Sequence, residues 1–208
     1  MKQNLYKPFS DLGWGLAGVF IVITLILVQV IGKPHPEQDN SRAQGALIAE
    51  LYWDDKIDVD MDLWLLSPVD SVPVGYSRKS SKGWSLLVDD LGTNKYTDLS
   101  GKNREFASTR SMEPGHYIIN AHYYRGKVSP VKIKLIVTRN MNGGSQQIFV
   151  VNYSFVRVCE ERTLIQFDID GDGNLIPDSV FFTLHKLRSN NECLPNGSYT
   201  RRSNGNGP

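Results

Sequence analysis

The sequence predicts an all-β chain in which a single N-terminal transmembrane helix is followed by an antiparallel, Ig-like or jelly-roll-like β-sandwich. Three observations predict it. One long apolar run, Leu12 to Ile31, stands near the start of the 208 residues. Beyond it come short apolar or alternating segments separated by turn residues, the rhythm of a sandwich. No segment after the run keeps helical periodicity over about eleven residues, so helix is a minor component, with residues 43–50 allowing at most an opening helical turn.

The run contains about twenty residues, enough at 1.5 Å per residue to cross a hydrocarbon core of roughly 30 Å. It exceeds the apolar region of a signal peptide, about 7 to 15 residues, and ends in Val30-Ile31-Gly32-Lys33-Pro34 rather than a small-x-small cleavage site. An uncleaved anchor is expected. Lys2 and Lys7 precede it, whereas Lys33 is offset by Glu37 and Asp39, so the positive-inside bias puts the N-terminus in the cytoplasm. The expected organisation is a cytoplasmic N-terminus at 1–10, a transmembrane helix at 11–32, a linker at 33–45 with Pro34 and Pro36, an extracytoplasmic domain at 46–189 and a disordered tail at 190–208. The localisation that follows is a bacterial inner membrane, crossed once, with the domain in the periplasm.

Within the domain, strands are expected at 47–53, 59–66, 84–88, 106–112, 117–124, 131–138, 148–158, 163–167 and 180–184. In the second, Val59, Met61, Leu63 and Leu65 alternate with Asp58, Asp60, Asp62 and Trp64. One face is therefore apolar and the other carries three carboxylates about 7 Å apart, which must meet water, cations or backbone amides. Pro114-Gly115 forms a turn ahead of an aromatic-rich strand containing Tyr117, Tyr123 and Tyr124.

The net charge of +1, without lysines and arginines clustered among aromatics, excludes a nucleic-acid partner. Cys159 and Cys193 are the two cysteines. An oxidising compartment allows them to pair, the alternative being two unpaired thiols, and neither has the spacing of a catalytic or zinc cysteine.

Asp11 is the sole charge between Lys7 and Lys33. Asp11, Gly15, Gly18 and Val22 share one helix face, and Gly13 with Ala17 makes a small-xxx-small pair that lets another helix approach. A carboxyl at membrane depth tends to face protein or a wet cavity with a raised pKa, and can then exchange a proton or hold a cation. The alternative is that Ser10 and Asp11 cap the helix start.

Asp168, Asp170 and Asp172 stand at positions 1, 3 and 5 of a calcium-type loop with Gly173 at position 6, but Ser179 replaces the usual Glu at position 12 and Asp178 falls at position 11. The segment is either a calcium site of Asp168, Asp170, Asp172 and Asp178 or a polar hairpin turn. Asp89 and Asp90 either join Asp58, Asp60 and Asp62 in a second cation site or bond turn amides. His116 and His122 lie about 20 Å apart along one strand, too far for one metal, and read as surface or edge residues. No nucleophile elbow, phosphate loop or zinc-protease spacing is present, so no enzyme is expected and no cofactor is required, calcium being the one alternative.

The stretch Pro8-Phe9-Ser10-Asp11-Leu12-Gly13-Trp14-Gly15-Leu16-Ala17-Gly18-Val19-Phe20 resembles the start of the transmembrane helix in B-type subunits of ion-driven motors, the MotB, TolR, ExbD and Zorya B group. The resemblance implies that Asp11 carries a proton or sodium ion. It also implies a homodimer inside a larger complex with a multi-pass A-type protein of MotA, TolQ or ExbB type. The exported part resembles neither the OmpA-like nor the small α/β domains of that group. Asp58-Val59-Asp60-Met61-Asp62-Leu63-Trp64, Asp89-Asp90-Leu91-Gly92 and Pro114-Gly115-His116-Tyr117 are instead similar to bacterial extracytoplasmic β-sandwich modules with D-x-D-L-W, D-D-x-G and P-G-x-Y patterns, which implies the fold.

The expected function is thus a subunit of a proton- or sodium-driven motor whose β-domain transmits or anchors force. The alternative is a membrane-anchored binding or adhesion domain for a glycan, cell-envelope component or protein. An aromatic platform of Tyr117, Tyr123 or Tyr124 would favour sugar.

Overall fold

The computed structural model describes residues 16–24, 45–92, 102–141 and 144–188. The chain divides into two units, Met1–Arg42 and Ala43–Pro208. In the first, residues 16–24 are helical and the large apolar side chains from Leu16 to Ile23 are exposed. Nothing lies within 4 Å of a Cβ built on Gly18. Among the described residues no helix is long and apolar enough to cross a membrane. The span expected at 11–32 is described only over 16–24, and Asp11, Gly13 and Gly15 lie outside the described residues. The tail expected at 190–208 lies outside them too.

The second unit is all-β. Its strands are β1 (Leu47–Trp53), β2 (Val59–Leu66), β3 (Trp84–Val88), β4 (Arg104–Thr109), β5 (Gly115–Gly126), β6 (Val131–Met141), β7 (Gly144–Phe155) and β8 (Glu161–Ile169). They form a five-stranded sheet ordered β3-β4-β1-β6-β7 and a three-stranded sheet ordered β2-β5-β8. Every neighbouring pair is antiparallel.

Alternation decides which side chains go inward. Leu47, Ala49, Leu51 and Trp53 of β1 meet Met61, Leu63 and Leu65 of β2, Ile119 and Ala121 of β5, and Leu135 and Val137 of β6 in one apolar core fed by both sheets. A row of rings crosses it. Trp84 lies 6.4 Å from Tyr117, Tyr117 stacks on Phe167 at 5.4 Å, and Phe149 lies 5.1 Å from Phe167. Such pairs contribute about 0.5–1.5 kcal/mol each beyond their buried area.

Gly115 begins β5 at φ +129°, and a Cβ there would come within 2.7 Å of Pro68 Cβ. Only glycine adopts that backbone without strain, so the Pro-Gly turn is fixed by both conformation and space.

Two expectations are corrected. Of the helical turn expected at 43–50, the described residues 45–50 form none, because β1 already starts at Leu47, bonded on both sides by β4 and β6. Residues 180–184 form no strand, and Phe181 makes a single bridge to Gln166 of β8. Beyond it the side chains of Gln166 and Thr163 replace ladder bonds: Gln166 Nε2 donates to Thr183 O at 2.7 Å, and His185 N donates to Thr163 Oγ1 at 2.8 Å. Residues 181–188 thus run as a strap along the second sheet, and Leu187 seals its outer face against Trp64 and Ile118.

Candidate functional site

Asp60, Asp62 and Trp64 point away from the core, as the alternation of β2 requires, yet all three are buried. The strap accounts for part of this cover. The antiparallel register sets Asp60 opposite Arg125, Asp62 opposite His122 and Trp64 opposite Asn120 of β5. Asn120 Nδ2 donates to His185 O of the strap at 2.7 Å, and the N–H of Leu187 donates to Glu161 Oε1 at 2.9 Å.

Five carboxyl groups gather at this end of the domain: Asp60, Asp62, Asp89, Asp90 and Glu105, all buried. Glu105 comes from the opposite direction. It sits on β4 two residues before the core residue Ala107, faces the core itself, and is 0% exposed. Its Oε2 accepts the N–H of Leu63 on the open edge of β2. Among the described residues its Oε1 and Asp60 Oδ1 have no hydrogen-bond partner.

Two cations among the described residues pair with the group. Lys79 Nζ lies 2.8 Å from Asp89 Oδ2, and Arg125 lies 3.7 Å from Asp58 Oδ1 and 3.9 Å from Asp60 Oδ2. Arg125 also donates to Leu91 O at 2.7 Å. Asp90 bonds amides, accepting from Gly92 N at 2.9 Å and Arg104 N at 3.2 Å. Gly92 adopts φ +94°, where a Cβ would come within 2.7 Å of Asp58 Oδ1.

Burial and mutual repulsion set the protonation. Burial, then the charge of Asp62, pushes Asp60 up to about 7 against the opposing pull of Arg125. Burial raises Asp62 likewise, Arg188 opposing and Asp89 reinforcing. Burial, then Asp62 and Asp89, lifts Glu105 well above the usual carboxylate range.

His122 is held down to about 3, first by burial and then by Arg188, so its ring is neutral. Arg188 Nη1 stands 2.6 Å from Nε2 and Asp62 Oδ2 stands 3.0 Å from Nδ1. Arginine only donates, so Nε2 accepts and the ring proton sits on Nδ1, directed at Asp62. The nitrogen that a nucleophile would need is therefore taken by Arg188. The site can store protons near neutral pH but presents no activated nucleophile among the described residues.

Beside the acids lies a short aromatic patch. Trp64 meets Tyr76 edge-on at 5.6 Å, and Tyr76 lies 6.0 Å from Tyr124. Tyr76 is 36% exposed, whereas Tyr117 and Tyr123, candidates for a sugar platform, are core residues at 1%. Their hydroxyls donate to Glu113 O and Val128 O.

The structure brings Asp60, Asp62, Asp89 and Asp90 together as the sequence allowed, with Asp90 bonding turn amides. His122 is buried rather than at a surface or edge. His116 is half-exposed, bonded to Asp168 at 2.5 Å and Gln166 at 3.1 Å. In the Asp-rich loop Asp170 Oδ1 accepts the N–H groups of Asp172 and Asn174 at 2.9 and 2.8 Å. The bond from Asn174 is the first cause holding Asp170 below the usual range. Asp178 belongs to a single 3-10 turn at Pro177–Ser179. Among the described residues no group of three or more His, Cys, Asp or Glu side chains is placed to hold a metal ion.

Cys159, at φ +71° in the β7–β8 turn, is disulfide-bonded. The other cysteine of the chain, Cys193, lies outside the described residues. Sequence reasoning missed Glu105, Arg125 and Arg188. Glu105 left a signal, an acid in phase with the inward positions of an otherwise apolar strand. Arg188 left none, because only the path of the strap brings it to His122.

Fold and site together define an all-β domain of two antiparallel sheets with a buried acidic cluster beneath a C-terminal strap. No protein family, curated protein or solved structure matches this chain.

Proposed function

We propose that the apolar run anchors an Ig-like or jelly-roll-like sandwich outside a bacterial inner membrane, and that the chain is a subunit of a proton- or sodium-driven motor. Asp11 carries the ion in this reading, and a multi-pass A-type protein surrounds the helix. The observation that supports the exported placement is the disulfide at Cys159, since such bonds persist in oxidising compartments and are rare in the cytosol. The motor role rests on the resemblance around Phe9 and Asp11 alone.

The test is native mass analysis of the full chain extracted gently from its host, together with Asp11→Asn. A multi-pass partner in excess, lost coupling in Asp11→Asn and retained assembly are the expected results. Full activity with Asp11→Asn overturns the ion-carrying role.

A second reading is an anchored binding module for a glycan, cell-envelope component or protein. It is favoured by the Trp64–Tyr76–Tyr124 patch, in which the partly exposed rings of Tyr76 and Tyr124 lie beside buried Trp64 and buried acids. It predicts that an unrelated span can replace the anchor without loss of function.

A further inference from the structure

Among the described residues the two sheets present four edges, and described segments of the chain cover three of them. Beside β3, Ser80 bridges Ser85 and Leu86 N donates to Lys79 O at 2.7 Å. Along β2, Leu65 exchanges two backbone bonds with Val74 at 2.9 and 2.8 Å, and Glu105 takes the N–H of Leu63. Along β8, Gln166 exchanges bonds with Phe181 at 2.8 and 2.9 Å, and Ile169 bridges Leu175. The fourth edge is β7, twelve residues long and last in its sheet. Among the described residues no backbone group pairs with its outer side.

Exposed edges are ordinarily blunted by charge, proline, shortness or a bulge, because unpaired N–H and C=O groups template another strand. β7, Gly-Ser-Gln-Gln-Ile-Phe-Val-Val-Asn-Tyr-Ser-Phe, has no charged residue and no proline. Its irregularity against β6 falls between the pairs Val137–Phe149 and Thr138–Gln147, leaving 149–155 regular. The five-stranded sheet also outreaches the three-stranded one, so the inward-facing Phe149, Val151 and Tyr153 are only partly buried.

We propose that β7 is an interface between two copies of this chain, which pair antiparallel through this edge about a two-fold axis into one continuous sheet.

Charge selects a second copy over another partner. An isologous antiparallel contact sets residue i of one β7 against residue j of the other and j against i, and because every β7 residue is uncharged no like charges meet in any register, whereas a charged peptide would find no complement on β7. The like charges on the neighbouring strand are Lys132, Lys134 and Arg139 of β6, opposite Ser154, Asn152 and Gln146, with Arg139 held by a bond to Gln146 Oε1 at 2.8 Å. In the pair they stand three strand spacings from their counterparts, about 14 Å, beyond the roughly 8 Å screening length at physiological salt. Glu160 and Arg162, which both meet Tyr153, are of opposite sign. A two-fold axis normal to the sheet keeps both inward faces on one side, so Phe149, Val151 and Tyr153 of each copy extend the other's apolar margin.

The interface does not depend on the anchor or on Asp11. The test uses the full chain in its membrane with Val150→Cys, Asn152→Cys or Ser154→Cys, one at a time, under mild oxidation. A thiol-reducible homodimer is expected from at least one position, persisting when an unrelated span replaces residues 1–33. Adding Val150→Lys to Asn152→Cys or Ser154→Cys, or Asn152→Lys to Val150→Cys, is expected to cut the yield at least about fivefold, the effect of a like charge set in a pairing strand. No crosslink at all three positions, with the resistance of the domain to limited proteolysis unchanged as a sign that it is folded, overturns the proposal. So does an adduct with a different polypeptide, or a yield unmoved by the added lysine.

Discussion

Arg188 Nη1 donates to Nε2 of His122 at 2.6 Å, closing a buried chain from strap to sheet that continues through Nδ1 to Asp62 at 3.0 Å. The contact joins two segments 66 residues apart. A strap carrying exposed Phe181, Phe182 and Leu184 gains little from burial, so its polar bonds to Thr163, Glu161 and His122 position it.

Removing the donor should therefore loosen the strap before it unfolds the sheets. Arg188→Met is expected to cost about 1–3 kcal/mol, the range for losing a hydrogen bond from a charged group. Hydrogen exchange should quicken first at His185 and Leu187. It also takes away the nearest charge opposing protonation of Asp62, so that carboxyl should titrate higher still, readable by NMR. Unchanged exchange in the strap would count against this arrangement.

The disulfide at Cys159 should have a related effect. Removing a native bridge from a small domain typically costs about 2–5 kcal/mol. Cys159→Ser is expected to lower the midpoint of denaturant unfolding by an amount in that range. The left-handed backbone at φ +71° gives Cys159 no conformational advantage over serine, so the loss measures the bridge.

Glu105 offers a separation of charge from hydrogen bonding. Its carboxyl is fully buried and favours the neutral form, and Leu63 N–H needs its oxygen. Glu105→Gln keeps an acceptor and should cost less than about 1.5 kcal/mol, whereas Glu105→Ala orphans the amide and leaves a void, costing about 2–5 kcal/mol. Equal losses in the two variants would show that the acceptor oxygen is not what matters.

The strands were legible wherever one face is apolar. The bounds of β1, β2 and β3 coincide with runs of alternating or apolar residues ended by turn signals, because a one-residue slip would expose every inward side chain. β7 was legible only from Ile148, since Gly144 to Gln147 carry no apolar pattern and are strand solely because β6 pairs with them. The site was half legible. Asp60 and Asp62 announce a carboxylate face by alternation, but alternation alone assigns that face to water. Part of what buries it is the strap, whose exposed Phe182 and Leu184 imitate a strand while Thr163 and Gln166 divert the backbone bonds. His122 followed the same error, a polar residue on an outward face that long-range packing closes.

The cluster predicts an unusual direction for stability against pH. Asp60 rises to about 7 in the folded protein from an ordinary value near 3.8, with Asp62 and Glu105 raised alongside it. Between those values the folded state binds more protons than the unfolded chain, so this contribution is complete below about pH 4 and is lost as pH rises through 7. His122 works the other way. Depressed from 6.5 to about 3, it binds fewer protons when folded, and its contribution is present above 6.5 and lost as pH falls. From pH 5 to 6.5 three carboxyl groups oppose one imidazole, and above 6.5 only the carboxyl groups still titrate. Unfolding midpoints should therefore decline from about pH 5 to 7 and flatten above 7, where Asp60 and Asp62 have ionised in the folded state as well. Asp60→Asn holds the group neutral at every pH and should flatten that decline while stabilising the domain most at the alkaline end. A midpoint that rises steadily to pH 8 would mean that the acids are ionised and paired, with Arg125 and Lys79 holding them more firmly than their distances imply.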